Sequence, residues 1–209
     1  MISSAKKQHL VMIQKEIAKK VIEHDEFSLN LLGGADIAYT ENRVICALVV
    51  LDKEGKIIEK KHSVGKEIIP YVPGFLAFRE GPIIVETFRK LQNKPDVLLI
   101  DGNGVLHPRK AGLACYVGIK LNIATIGVAK KLLLGEIHQD KVYVKGEVRA
   151  IKLETKPEAK PIYISIGNKI SLESAVKLVK EQLKGHKLPE VLKLAHSYAN
   201  KIKKDIGSK

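Results

Sequence analysis

Apolar residues recur along the chain with two periods, and the change from one to the other marks out the elements. Within residues 5–24, Leu10, Ile13, Ile17 and Val21 share one side of a helix with lysines opposite, which predicts an amphipathic helix. Beyond it the period changes. "LNLLGGADIAYT", "RVICALVVLD" and "KIIEKKHSVGKE" read as three strands joined by the short turns "TENR" and "KEG", which predicts an antiparallel meander. "YVPGFLAFREGP" is irregular to briefly helical, and "PIIVETFRKLQN" predicts a helix with Pro82 in its first turn, where proline is tolerated. "DVLLID" predicts a fourth strand. Pro108 opens a helix running to about Leu121, and "NIATIGVA" predicts a fifth strand.

The β-α-β alternation over residues 82–128 implies parallel pairing with right-handed crossovers. The expected architecture is therefore α/β: a mixed five-stranded sheet, three antiparallel strands then two parallel ones, flanked by helices. Residues 140–170 hold short strands around the loop "LETKPEAKP", read as a surface hairpin inserted into the domain. "SLESAVKLVKEQL" and "PEVLKLAHSYANKIKK" predict two closing helices, and residues 203–209 a frayed basic tail. Neither repeats nor a long linker interrupt the pattern, so residues 1–209 read as one domain, with residues 1–25 as its N-terminal helix.

Charge changes this picture. The 36 Lys and Arg residues exceed the 23 Asp and Glu by 13, an excess that favours a polyanionic partner, nucleic acid first. A lysine-rich solubilising surface of the kind used for heat tolerance explains the same number equally well. Cys46 and Cys115 are far apart and in no metal or redox spacing, so they read as buried apolar residues in a reducing compartment. No segment reaches the apolar length of a membrane helix, and the run Leu10 to Ile13 is too short for a signal peptide. A cytoplasmic protein with no membrane partner is expected.

Three acids stand where acids are locally unwelcome. Asp36 interrupts an apolar strand just after "LLGGA", Glu80 follows "GFLAF" beside a helix start, and Asp101 ends the fourth strand. Each alone has a bland explanation as a bulge partner, a cap or an Asp-Gly turn. Ligands collect at the carboxyl ends of buried parallel strands, and a mixed sheet can bring all three acids to one point. Converging carboxylates raise one another's pKa unless a cation intervenes, and oxygen-only ligation suits Mg²⁺ or Mn²⁺. Two such ions roughly 4 Å apart activate water and stabilise a leaving oxygen on phosphate. A metal-dependent phosphodiesterase is the expectation.

At these residues the chain resembles the endonuclease V (deoxyribonuclease V) family. The matching stretches are "GGADIAYT", "PYVPGFLAFREGP", "LLIDGNGVLHPRKAGLACYVGI" and "IATIGVAKKLLLGE", in the family's order from about residue 33 to 136. The resemblance implies a ribonuclease H-like fold and nicking at the second phosphodiester bond 3′ to inosine. It implies that Asp36, Glu80 and Asp101 bind metal, and that His196 in "LKLAHSYAN" supplies a further metal-site residue. A histidine on the polar side of a helix accounts for His196 as well.

His107, just before Pro108, could bind phosphate, position water or cap a helix. Lys130 could hold the scissile phosphate and offset developing charge, a reading that rests on the "TIGVAK" match, since a lone lysine is usually surface. Tyr71, stiffened by Pro70 and Pro73, matches with Val72 the family's wedge motif, which fills the gap left by an extruded base. The bland alternative is a tyrosine packed on the core. Gly74, Leu76, Gly102, Gly112, Gly127 and Leu133 match positions near the family's base pocket, where glycines let backbone amides reach a base edge.

The resulting expectation is a monomeric, Mg²⁺-dependent endonuclease acting on deoxyinosine in DNA repair. Cleavage of inosine in RNA is the alternative within enzymes, and a non-catalytic nucleic-acid-binding module on a nuclease fold is the alternative outside them.

Overall fold

A computed structural model describes residues 2–207. The amphipathic segment forms α1 (Ser4–Lys20), whose N-cap Ser3 side chain accepts from the Lys6 backbone N–H at 3.2 Å. The meander follows as β1 (Leu32–Tyr39), β2 (Val44–Leu51) and β3 (Ile57–Gly65), all antiparallel. Then come α2 (Leu76–Arg89), β4 (Val97–Asp101), α3 (Leu113–Leu121) and β5 (Ala124–Ala129). β1, β4 and β5 run parallel to one another, which reproduces the five-strand order read from the apolar runs.

The sheet does not stop there. β6 (Glu136–His138), β7 (Lys141–Val144), β8 (Glu147–Leu153) and β9 (Ile162–Asn168) extend it to nine strands in the order β3-β2-β1-β4-β5-β9-β8-β7-β6. Residues 140–170 are thus no separate surface hairpin but a continuation of the sheet. The reason is edge burial. All six residues of β5 are buried, and an open edge there would leave a ladder of backbone groups unpaired. Antiparallel pairing with the fully buried β9 closes that edge. The chain ends in α4 (Leu172–Glu181) and α5 (Glu190–Gly207).

Four element boundaries differ from the sequence reading. α1 ends at Lys20 rather than near residue 25, because Val21 takes an extended backbone (φ −65°, ψ 127°). α2 starts at Leu76, so Glu80 lies on the helix and Pro82 in its interior. Proline there costs about 3 kcal/mol, offset by the buried face of Phe78, Ile83, Ile84, Val85 and Phe88. α3 starts at Leu113 rather than Pro108, because Lys110 takes φ of 51° and ends any helical path. Residues 203–207 continue α5 instead of fraying, with Ile202 and Ile206 packed on the Ala38, Ile45, Ala47 and Ala199 cluster; residues 208 and 209 lie outside the described part.

Helices cover both faces. α2 and α3 pack over Ala35, Cys46, Leu48, Leu98 and Ile100, while α4 and α5 pack over Leu32, Val49, Val97, Leu99 and Ile126. α5 lies so close to β1 that a methyl added at Gly34 would meet the Val191 carbonyl oxygen at 2.6 Å. Gly34→Ala should therefore push α5 outward and cost about 1–3 kcal/mol, as overpacking does. Urea unfolding measures this directly, and an unchanged midpoint would contradict the close α5–β1 packing.

Candidate active site

Strand register brings the first two acids together. β1 and β4 pair in parallel from Leu32↔Val97 to Ala35↔Ile100, so Asp36 and Asp101 are the next residues on adjacent strands. Alternation puts Asp36 on the face of Gly34, toward α5, and Asp101 on the face of Val97 and Leu99, the same one. Glu80 approaches from α2 at the carboxyl end of β1, where the Tyr39 hydroxyl donates to its Oε1 at 2.7 Å. Asp36 and Glu80 are only 5% and 8% exposed.

Their electrostatics follow from that crowding. Burial pushes the Glu80 carboxyl up to about 7, against the hydrogen bond from Tyr39, and the charges of Asp101 and Asp36 add to the rise. Burial also raises Asp36, and Asp101 raises it further by charge and by a hydrogen bond that favours the neutral form. Donors answer each acid in turn. The Lys130 ammonium, beyond the end of β5, pairs with Asp101. His196 on α5 meets Asp36 Oδ2 through Nδ1 at 2.8 Å. The Asn200 amide nitrogen faces both the His196 carbonyl (3.1 Å) and His196 Nε2 (3.0 Å). It donates to both, which leaves the proton on Nδ1, pointed at Asp36.

Among the described residues no three His, Cys, Asp or Glu side chains stand in ready-made metal-holding geometry. The donor chemistry nevertheless fits a hard divalent cation: two carboxyls raised chiefly by burial and further by the charge of Asp101, with oxygen atoms only. His196 stands beside them as an orienting donor.

A second feature adjoins the acids. Residues 70–75 form an irregular loop in which Pro70, Tyr71 and Pro73 are exposed and Val72 is half-buried, with Tyr71 64% exposed. Gly74 has φ of 79°, a left-handed conformation that favours glycine. Behind the loop lies a cavity of about 130 Å³ lined by Tyr71, Gly74, Leu76, Asn103, His107, Gly112 and Leu133, among others. Gly102 and Gly127 are not in its lining. A methyl on Gly127 would strike the Asn103 carbonyl carbon at 2.8 Å, and one on Gly102 would press on Leu113 at 3.1 Å. Both pack the 102–112 loop onto its neighbours.

His107 is buried, with both ring nitrogens engaged: Nδ1 accepts from the Arg109 backbone N–H and Nε2 donates to the Gly74 carbonyl. Burial pushes its imidazole down to about 4, so it is neutral at pH 7. A larger cleft of about 760 Å³ between β7–β8 and α4 shares no residue with the acids or this cavity.

Several contributors escape a reading of the sequence. Tyr39 and Arg79, whose guanidinium lies 4.5 Å from the Tyr39 ring centre, flank Glu80 only once α2 crosses the end of β1. Gln14 carries a visible signal, a polar residue between Leu10, Ile13 and Ile17 on the apolar side of α1.

A group whose folded pKa is raised costs stability once ionised. Well below pH 4.5 Glu80 is neutral in folded and unfolded chains alike; between about 4.5 and 7 the unfolded chain gives up the proton while the folded chain keeps it, so stability falls across that window and levels off above it. In EDTA, Glu80→Gln should gain on the order of 1–3 kcal/mol over the parent at pH 8 and little at pH 4.5. Denaturant melts at the two pH values test this, and equal differences at both would contradict the strained carboxyl.

Comparison with known proteins places the fold and its sequence in one group. A profile of the family described as Endonuclease V matches residues 15–197. Endonuclease V of Dictyoglomus thermophilum is 37% identical over 204 residues, covering 93% of this chain and 90% of that relative. The solved Endonuclease V of Bacillus subtilis superposes with a TM-score of 0.89 at 32% identity, over 100% of this chain and 95% of that one. Endonuclease V of Ciona intestinalis, in complex with a 24mer DNA containing an inosine followed by a ribo-adenosine, gives 0.86 at 31% identity, over 97% and 100% of the two chains. Matched in sequence and in fold over nearly its whole length, the chain belongs to the endonuclease V family.

Proposed function

We propose that this endonuclease recognises hypoxanthine, as deoxyinosine in DNA, and nicks the strand at the second phosphodiester bond on its 3′ side, as a cytoplasmic repair enzyme acting as a monomer. The observation that carries the reading is the side-by-side placement of Asp36 and Asp101 by the β1–β4 register, with Glu80 brought to the end of β1 by α2, beside an exposed aromatic loop and a small cavity. The solved Ciona relative, bound to inosine-containing DNA, supports the choice of lesion. Among the described residues no helix is long and apolar enough to cross a membrane.

In this reading Asp36, Glu80 and Asp101 hold Mg²⁺, or Mn²⁺ in its place. His196 fixes Asp36 through Nδ1 and completes the polar wall. A divalent cation there supplies an activated water and stabilises the leaving oxygen. Lys130, freed from Asp101, offers its ammonium to the scissile phosphate. Tyr71, with Pro70, Val72 and Pro73, fills the stack while the base swings out, and the cavity bounded by Gly74, Leu76, Gly112 and Leu133 receives it. His107 lines that cavity from a neutral, fully bonded state. It therefore serves the pocket's shape rather than proton transfer. Gly102 and Gly127 support the pocket from behind. Hypoxanthine presents an O6 acceptor and an N1 proton where adenine has a donor and a bare nitrogen, so backbone donors lining the pocket discriminate by roughly 1–3 kcal/mol.

A ribonucleotide variant of this substrate follows from one observation: the DNA bound by the Ciona relative carries a ribo-adenosine directly after the inosine. Labelled strands with inosine in DNA, in RNA and in a DNA with one ribonucleotide 3′ to the lesion separate the cases. The parent should cut the inosine DNA strand only with Mg²⁺ or Mn²⁺ present, and should leave an adenine control intact. Asp101→Asn should abolish cutting while retaining binding of the inosine duplex in Ca²⁺. Full incision by this variant, or equal cutting of adenine and inosine strands, would sink the reading.

A further inference from the structure

Gln14 is a fully buried amide on α1, and no partner of its side chain belongs to that helix. Its Nε2 donates to the Gly74 carbonyl at 2.8 Å, and its Oε1 accepts from Arg109 Nε at 2.5 Å. Arg109 Nη2 donates to the same Gly74 carbonyl at 3.1 Å, and so does His107 Nε2, also at 3.1 Å. One carbonyl oxygen in an otherwise exposed loop therefore takes three donors, from α1 and from the 102–112 loop. The Arg109 guanidinium also stacks over Phe75, 5.1 Å from its ring centre.

Where this knot is tied matters. Gly74 is the left-handed residue at which the chain turns from exposed Tyr71 to the cavity-lining Leu76 and Ala77. Its carbonyl direction fixes the spacing between the aromatic and the pocket behind it. An exposed loop has no need of a charged, triply donated anchor to fold, whereas a pocket that must accept a base in one orientation gains affinity from having its walls fixed in advance.

We infer that Gln14 and Arg109 are positioning residues for lesion recognition, holding Gly74 so that α1 keeps the Tyr71 loop and the base cavity in fixed register. This rests on the function proposed above. Neither side chain hydrogen-bonds to the three acids, so their loss weakens capture of the extruded base and leaves the chemical step intact. The effect falls on KM and not on kcat.

The chain contains no tryptophan, so Tyr71→Trp installs a single indole at the tip of the loop. In that background Gln14→Met, which keeps the length of the side chain and removes both hydrogen bonds, should lower indole anisotropy and increase acrylamide quenching. With Tyr71 intact, Gln14→Met should raise KM for an inosine duplex about tenfold, the loss of roughly one charge-assisted hydrogen bond, with kcat within about twofold of the parent. Arg109→Lys, which restores one donor to Gly74, should fall between parent and Arg109→Met. Unchanged anisotropy and KM in these variants would overturn the inference, as would a KM loss that only follows a lowered melting temperature. If Gln14→Met does not fold, the two variants at the half-buried Arg109 decide the matter by the same readings. The indole reports on the loop whether or not inosine is cut, so a failure of the network and a failure of the proposed function give different results.

Discussion

Two carboxylates forced side by side by strand register are the constraint on which the site depends. Asp36 and Asp101 follow the last paired residues of neighbouring parallel strands and face the same way. Adjacent strands lie about 4.8 Å apart, where like charges repel by on the order of 3 kcal/mol at an effective dielectric near 20. Glu80, brought in by α2, adds a third charge to the same place. The surrounding side chains answer this repulsion one by one: Lys130 against Asp101, His196 against Asp36, Tyr39 against Glu80. The helices and strands that carry those partners, α5, β1 and the segment after β5, are thereby committed to their positions. So is α5's close seat on Gly34, which sets where His196 stands.

A site strained in this way is suited to a divalent cation, which in the proposed function would be held by the three acids and would leave the Lys130 ammonium free of Asp101. The cavity proposed to receive the base is built on the opposite principle. There, His107 is neutral and doubly bonded and Gly74 is held by three donors, while the cavity-lining Asn103 keeps a buried Oδ1 without a partner among the described residues. Tension is stored where charge has to be received, and rigidity is invested where shape has to be read.

The sequence displays one of these halves more openly than the other. Strands β1 to β5 are legible because their apolar runs are long and their turns short, and Asp36 is conspicuous as a charge inside such a run. The partners of the acids are not legible, since Tyr39 meets Glu80 only through the placement of α2 across the sheet. The β5–β9 pairing joins residues about forty positions apart with no local signature, which is why the sheet reads as five strands instead of nine. Lys110 has no compositional reason to adopt a positive φ, so the late start of α3 is invisible as well. Gln14 is the instructive case. A polar residue in an apolar stripe announces a buried partner without saying which one.

Whether the buried Glu80 carboxyl retains its proton near neutral pH until a divalent cation takes its place is tested most directly by calorimetric titration of the DNA-free protein with Mn²⁺ in buffers of different ionisation heat. With Glu80 pushed up to about 7, binding at pH 6.5 should release a proton to the buffer, and the release should vanish at pH 8.5. Tight binding at pH 6.5 with no proton released, or no binding at either pH, would contradict the account.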